Sequence, residues 1–522
     1  MRILRASDRA LLVETADLDE AMRLNRALTA AAVPGLLELV PGARTVLVRF
    51  EPRRVSAEAL SEIVGTIDAS ADVSADAALV EIPVHYDGDD LAYVADVLGI
   101  SVEDVIARHL AASWTVAFAG FAPGFGYLIG DDPLFDVPRR ATPRMRVPAG
   151  AVGLAGRFSG VYPRESPGGW QLIGRTDAVM WDTEREPPAL LAPGTQVRFV
   201  RAARLAAPAS PQDASLIARP PQPHRDDSQR RIDILSALFP ILIQDLGRPG
   251  NAALGVSASG IADRTAMRAA NRAVGNAPDA AVLEITAGGA ALKLTGALVV
   301  AVAGAVGELV LTDRHGEERP APHGAPFAVF DGDVLQVGAP ERGLRSVLAV
   351  RGGIRSRPVL GSLATDTLAG LGPAPLRAGD AVALGDPRSA PHLVDPVALP
   401  RDLPAPGETV TLEITLGPRD DWFTADALEA LTGQEWEVTA RGDRVGIRLA
   451  GAEPLQRSVQ GELPSEGAVT GALQVPPDGQ PVLFLPDHPL TGGYPIIGAV
   501  TDECLDLAAQ LPPGVRVRFA VR

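Results

Sequence analysis

Residues Ser166–Gly174 read SPGGWQLIG, and residues Leu490–Gly498 read LTGGYPIIG. Each has a glycine pair, an aromatic ring, one further residue, two aliphatics and a closing glycine. GAVGLAG (Gly150–Gly156) precedes the first stretch, and GAVTGAL (Gly467–Leu473) precedes the second. Two copies so far apart exclude a solenoid and predict two related barrel-like domains. The pieces are spaced more widely in the second copy, so one connecting loop differs between them.

The rest of the chain fits around this pair. A length of 522 residues calls for three or four domains. With 53 Gly and 46 Pro spread throughout, turns are frequent and strands short. Residues 1–78 read as a small α/β unit, in which DLDEAMRLNRALTAA and VSAEALSEIVGTI have helical spacing while LLELV and RTVLVRF read as strands. Residues 79–203 form the first barrel, with helices near Leu91–Leu98 and Val102–Leu110. The Ala/Pro-rich stretch 204–230 is a linker. Residues 231–386 form a β-rich domain with one helix, RTAMRAANRAVG. A Pro-rich spacer, 387–408, precedes the second barrel, 409–522. The expected class is mostly β, with an α+β N-terminal unit and tandem barrels.

Composition removes several functions. A net charge of −16 argues against binding a nucleic-acid backbone. The longest apolar run, GALVVAVAGAVG, is too short to span a bilayer and reads as a buried strand. The N-terminus lacks the apolar core of a signal peptide, so a cytoplasmic location and no membrane partner are expected. A single cysteine, Cys504, excludes an internal disulfide and reads as a buried thiol. Lys293 is the only lysine, which excludes a Walker A loop. The seven histidines show no metal-ligand spacing, and any metal ligands are left unassigned.

Four stretches carry candidate chemistry. In Thr142–Thr176, Arg144 and Arg146 share a strand face, as do Gln171 and Arg175. Arginine forks there suit carboxylate or phosphate oxygens, and Glu165 and Ser166 stand before Gly168 and Gly169. The alternative reading is a solvated strand face with turn glycines. FAGFAPGFGYLIG turns at Pro123 and Gly124 among aromatics, as a packed corner or an apolar wall for a small ring. In Gln244–Asn276, Asp263 is a candidate helix cap, with Gln244, Arg248, Arg264 and Asn271 around a helix start open to an anion. The last stretches place Arg444, Gln474, Asp478, Asp487 and His488 near Gly492, Gly493 and Tyr494.

GFAPGFGYLIG, PRRATPRMRVPAGAVGLAG and YPRESPGGWQLIGRT closely resemble the B subunit of bacterial ATP-dependent 5-oxoprolinase. QDLGRPG, LGVSASGIADRTAMRAANRAVGN, ALEITAGGAAL, DRVGIRL and EGAVTGALQVPPDGQPVLFLPDHPLTGGYP resemble the C subunit of the same enzyme. The resemblance implies a natural B–C fusion built on cyclophilin-like barrels. It implies ATP and Mg²⁺, a small-molecule substrate (5-oxo-L-proline) and a separate A component of the LamB/YcsF type, and it leaves homo-oligomerisation open. Within it, Arg144, Arg146 and Arg175 would hold a carboxylate or phosphates, and Asp263, Asp478 or Glu165 the metal. The same modules resemble the carboxyltransferase region of urea carboxylase, the source of the older name allophanate hydrolase subunit. Some relatives carry Lys after the second GGYP, where this chain has Ile496, and no biotin-attachment lysine is present. A third tradition reads such modules as regulators of a sensor kinase.

Overall fold

The computed structural model describes residues 1–69, 78–140, 142–202, 230–395, 401–461 and 463–522. The expected linker, apart from Arg230, and residues 396–400 of the expected spacer lie outside the described residues.

The N-terminal unit runs β1 (Arg2–Ser7), β2 (Ala10–Glu14), α1 (Leu18–Ala31), β3 (Leu36–Pro41), β4 (Thr45–Phe50) and α2 (Ala57–Thr66), with sheet order β1-β2-β4-β3. Helix α1 starts where it does because the Asp17 carboxylate accepts the Glu20 N–H, while Glu20 reaches back to the Ala16 N–H. Leu24 and Leu28, four apart on α1, then pack on Val46 and Val48 of β4.

The first barrel comprises β5 (Leu79–Val84), α3 (Leu91–Leu98), α4 (Val102–Ala111), β6 (Trp114–Ala119), β7 (Gly126–Gly130), β8 (Arg144–Val147), β9 (Ala151–Ala155), β10 (Phe158–Val161), β11 (Ser166–Gly168), β12 (Gln171–Arg175) and β13 (Gln196–Arg201). Its sheet order is β12-β9-β10-β7-β6-β13-β5. A reciprocal backbone pair between His85 and Arg175, 2.9 Å each way, links β12 back to the end of β5.

The middle domain holds β14 (Arg231–Ser236), β15 (Leu242–Gln244), α5 (Arg264–Val274), β16 (Val282–Thr286), β17 (Ala290–Thr295), β18 (Leu298–Thr312), β19 (Glu318–Pro320), β20 (Phe327–Val329), β21 (Val334–Val350), β22 (Ile354–Arg355) and β23 (Ala381–Leu384). The long apolar run falls in β18, whose residues Val300–Ala303 are buried as expected. Helix α5 packs Ala266, Met267, Ala270 and Val274 onto this strand and β21.

The second barrel comprises β24 (Thr409–Leu416), α6 (Ala425–Gly433), β25 (Trp436–Gly442), β26 (Gly446–Ala450), β27 (Glu466–Gly467), β28 (Ala472–Gln474), β29 (Val482–Phe484), β30 (Thr491–Gly492), β31 (Ile496–Val500), α7 (Asp502–Ala508) and β32 (Arg516–Val521). It closes in the order β24-β31-β28-β29-β26-β25-β32. Taken in chain order, its nine strands occupy the same sheet positions as β5 to β13. First and last strands pair in parallel in both, β5 with β13 and β24 with β32. Both barrels also open their second strand with a buried Trp. Trp114 Nε1 donates to His109 O and Trp436 Nε1 to Leu431 O, each at 3.0 Å and each five residues back, using a carbonyl at the end of the preceding helix. The echo in sequence is therefore an echo in structure.

The halves are interlocked. The N-terminal sheet packs on the second barrel through Leu12, Val40, Leu47, Phe484 and Ile496. Buried Arg419 joins Glu14 of β2 to Glu466 of β27. Among the described residues, no helix is long and apolar enough to cross a membrane.

Candidate functional site

Each glycine pair ends a short two-stranded ribbon and leads into a barrel strand. In the first copy β11 pairs with β8 and β12 with β9. In the second, β30 pairs with β27 and β31 with β28. The two ribbons face one another across the junction of the halves, with Arg139 between them. A Cβ at Gly169 would stand 3.8 Å from Arg139 Nε, and a Cβ at Gly493 3.9 Å from Arg139 Nη1. Tyr127 turns its hydroxyl toward Ser465 and Thr491 of the other half, and burial pushes its ionisation up. Burial pushes the Tyr162 hydroxyl up to about 12, so both phenols are neutral at ordinary pH. Arg139 thus stands between the two glycine pairs where the halves meet, beside two buried, neutral tyrosines, and this junction is the candidate cleft.

The remaining residues of the first ribbon are already partnered. Asp90 accepts from Arg140 and Arg144, both at 2.8 Å, and from the Leu172 N–H at 2.7 Å. Burial alone would raise Asp90, but these donors and two guanidinium charges outweigh it and hold the carboxyl low. Arg144 is therefore a brace beneath the ribbon. Arg146 lies beside it in β8, largely exposed, and forks onto Glu165 at 2.9 and 3.0 Å. Ser166 donates weakly to Arg164 O at 3.4 Å. Gly168 is backed against Tyr162, whose hydroxyl would lie 2.3 Å from a Cβ there.

Gln171 and Arg175 do not share a face. A bulge at Ile173 sets two steps of β12 against one of β9, which reverses the alternation. Gln171 turns inward and donates to Pro138 O at 2.9 Å, while Arg175 stays outside on Asp87. Pro123 and Gly124 form a corner rather than a ligand wall. Gly124, at φ +76°, donates to Leu254 O of the second half at 3.0 Å, and the surrounding aromatics pack together.

The helix start at Asp263 is filled by the chain itself. Asp263 caps α5 through the Ala266 N–H at 2.8 Å, and its other oxygen takes Gln510 and Arg401. The free N–H groups of Arg264 and Thr265 point to the Asp506 carboxylate at 3.1 and 3.0 Å, and the Arg264 side chain pairs with Asp502 and Asp506. Both Asp263 oxygens are thus engaged within the chain, and the start of α5 already holds a carboxylate. Gln244 and Asn271 are buried on the carbonyls of Thr365 and Ala280. Arg248 is buried on Val359 O and Ala364 O beside Asp366, and Arg444 on Glu284 and Asp487. These side chains are buried among partners within the second half. Asp478 lies in an exposed turn, accepting from the Gln480 N–H at 3.2 Å.

The second ribbon supplies Gly492, Gly493, Gln474 and Tyr494. Gln474 Nε2 would be 2.6 Å from a Cβ at Gly492 and donates to Tyr494 O at 3.4 Å. The exposed Tyr494 ring has the Arg457 guanidinium over it at 5.8 Å. His488 is buried, stacked on Phe484, with Nδ1 2.9 Å from Pro489 O. Cys504 is half-buried against the second barrel's core. Sequence reasoning misses Arg139, Tyr127, Tyr162, Asp90 and Arg457. The doubled arginine in PRRATPR is the one local signal for Arg139.

Comparison with known proteins agrees with this division into halves. A family model described as carboxyltransferase domain, subdomain C and D, matches residues 1–191, and one described as subdomain A and B matches residues 254–521. The B subunit of Escherichia coli O157:H7 5-oxoprolinase is 41% identical over 172 residues, 32% of this chain and 79% of that protein. The C subunit of Escherichia coli K12 5-oxoprolinase is 32% identical over 297 residues, 55% of this chain and 90% of that protein. The crystal structure of TTHA0988 superposes with a TM-score of 0.83 at 35% identity, covering 98% of this chain and 99% of that one.

Proposed function

The chain belongs, in both halves, to the carboxyltransferase-domain family that includes the B and C components of 5-oxoprolinase, and from this we propose that it is the fused B–C component of an ATP-dependent 5-oxoprolinase. The observation that carries the reading is joint: one chain contains both relatives in order, with their glycine-pair ribbons brought together around Arg139.

A lactam carbonyl is a poor electrophile. ATP, as co-substrate, would phosphorylate the lactam oxygen and so make the ring carbon electrophilic toward water. With a separate A component the ring C–N bond of 5-oxo-L-proline would then break, the nitrogen taking up a proton, and the acyl phosphate so formed would be hydrolysed to L-glutamate and phosphate. The contribution of this chain is positioning and charge stabilisation. Its glycine pairs bring main chain close to Arg139 at the junction, and the neutral, buried Tyr162 packs behind the first pair. A magnesium ion accompanying ATP needs only one or two protein carboxylates. Among the described residues no three acidic, His or Cys groups converge. Of the expected acidic ligands, Glu165 is the one with an exposed carboxylate at the ribbon. A cytoplasmic location goes with such chemistry, since ATP is its co-substrate.

Mixing the purified chain with an A-type component, 5-oxo-L-proline and ATP should release glutamate and ADP, and neither protein alone should do so. A stable complex without turnover would refute the reading in favour of a regulatory module.

A further inference from the structure

Among the described residues, the arginines around the junction of the halves are spoken for, with one exception. Arg140 and Arg144 share Asp90, Arg146 holds Glu165, and Arg175 holds Asp87. Arg164 donates to Leu368 O, and Arg457 to Val475 O at 2.5 Å. Arg139 has no carboxylate or carbonyl partner among the described residues. Its guanidinium instead runs from Gly169 of one half to Gly493 of the other.

The main chain on either side of Arg139 is fixed. The Pro138 carbonyl accepts from Gln171 Nε2 at 2.9 Å, and the Arg140 N–H donates to Gly169 O at 2.8 Å. Arg140 is tied to Asp90, and Gln171 Oε1 is buried without a partner. The side chain thus projects from a held backbone between two glycines, each close enough that a Cβ there would touch it at ordinary van der Waals distance. A guanidinium fork that pairs with no carboxylate among the described residues, at such a position, matches the two oxygens of an external oxyanion.

We propose that Arg139 is the oxyanion-receiving residue of the cleft, taking either the carboxylate of the small-molecule substrate or a phosphate group of the nucleotide, at a site complete only where the two halves meet. The site rests on geometry, and the choice of ligands rests on the function proposed above.

The test is calorimetric titration of the full chain with 5-oxo-L-proline, ADP and inorganic phosphate, comparing wild type, Arg139→Gln and Arg139→Lys. Melting curves of the two variants should match wild type, since Arg139 is exposed. Wild type should bind at least one probe, and Arg139→Gln should weaken that binding about tenfold or more, as loss of a charge-assisted pair requires. Arg139→Lys should recover part of it. Weakening confined to 5-oxo-L-proline identifies a carboxylate, and weakening for ADP and phosphate identifies a phosphoryl site. Equal binding by wild type and Arg139→Gln, or no binding of any probe to wild type, overturns the proposal. Arginine-dependent binding together with no turnover in the mixture would instead refute the oxoprolinase reading and leave this site standing.

Discussion

Arg444 and Asp487 form a two-point ion pair with both side chains buried. Arg444 Nε donates to Oδ2 at 3.0 Å and Nη2 to Oδ1 at 3.1 Å. The same carboxylate takes the Ser259 hydroxyl at 2.6 Å and the Thr367 N–H and hydroxyl at 2.9 and 2.7 Å. Arg444 in turn reaches Glu284 and Gly260 O. One carboxylate of the second barrel therefore gathers two loops of the middle domain.

Asp487→Ala should be a stability mutation. It leaves Arg444 buried with one of its two carboxylates and strips three donors of their acceptor. Breaking a buried pair from one side costs about 3–5 kcal/mol. The denaturant midpoint should fall sharply. A midpoint unchanged from wild type would show that the pair is not a mainstay of the barrel–domain contact.

Asp506→Ala should open the anion site that the chain fills itself. Without that carboxylate, the Arg264 and Thr265 N–H groups and Arg264 Nε lose their acceptor at the start of α5. The loss should be on the order of 1–2 kcal/mol. Inorganic phosphate should then raise the melting temperature of the variant more than that of wild type. Equal phosphate responses would mean that the freed groups find another partner.

Much of the fold was legible in the sequence because its signals are local. Helical spacing located α1, α2 and α5, and the repeated GG-aromatic pattern located two equivalent barrel corners. Site chemistry was less legible because an arginine's role depends on what folds beside it. Arg144 looks like a ligand residue until Asp90, 54 positions earlier, is found beneath it. Arg248, Arg264 and Arg444 likewise find partners that no spacing rule connects. Arg139 stands out for the opposite reason, that it pairs with no carboxylate among the described residues. The bulge at Ile173 also escaped, since one extra residue reverses a face without leaving a compositional mark.

Acid should weaken the protein through its buried histidines. Burial pushes His109 down to about 3 and His488 down to about 4. The unfolded chain, with histidines near about 6.5, binds more protons below that pH, so this stability is present above it and lost as pH falls toward the folded values. Each histidine contributes a slope of at most about 1.4 kcal/mol per pH unit. His109 bridges Tyr86 Oη at 2.8 Å and Ser159 Oγ at 3.0 Å, so His109→Gln removes the titration while keeping polar atoms. Denaturant midpoints of this variant should decline less steeply than wild type between about pH 6.5 and pH 4. Parallel declines would exclude His109 as a source of acid sensitivity.

The two glycine pairs should respond to alanine in an ordered way. None of Gly168, Gly169, Gly492 and Gly493 has a left-handed φ, so their backbones accept alanine. A methyl at Gly168 would meet the Tyr162 hydroxyl at 2.3 Å, and Tyr162 is too deeply buried to yield. Gly168→Ala should therefore cost about 1–3 kcal/mol through overpacking. A methyl at Gly492 meets only the end of Gln474, which swings aside, so Gly492→Ala should be milder. Gly169→Ala and Gly493→Ala make ordinary contacts and should melt like wild type, yet each places a methyl beside Arg139 in the cleft. These two should lose ligand binding and turnover with the fold intact. If both keep full turnover with an A-type component while Gly168→Ala alone is impaired, the glycine pairs serve packing only and the reaction takes place elsewhere on the chain.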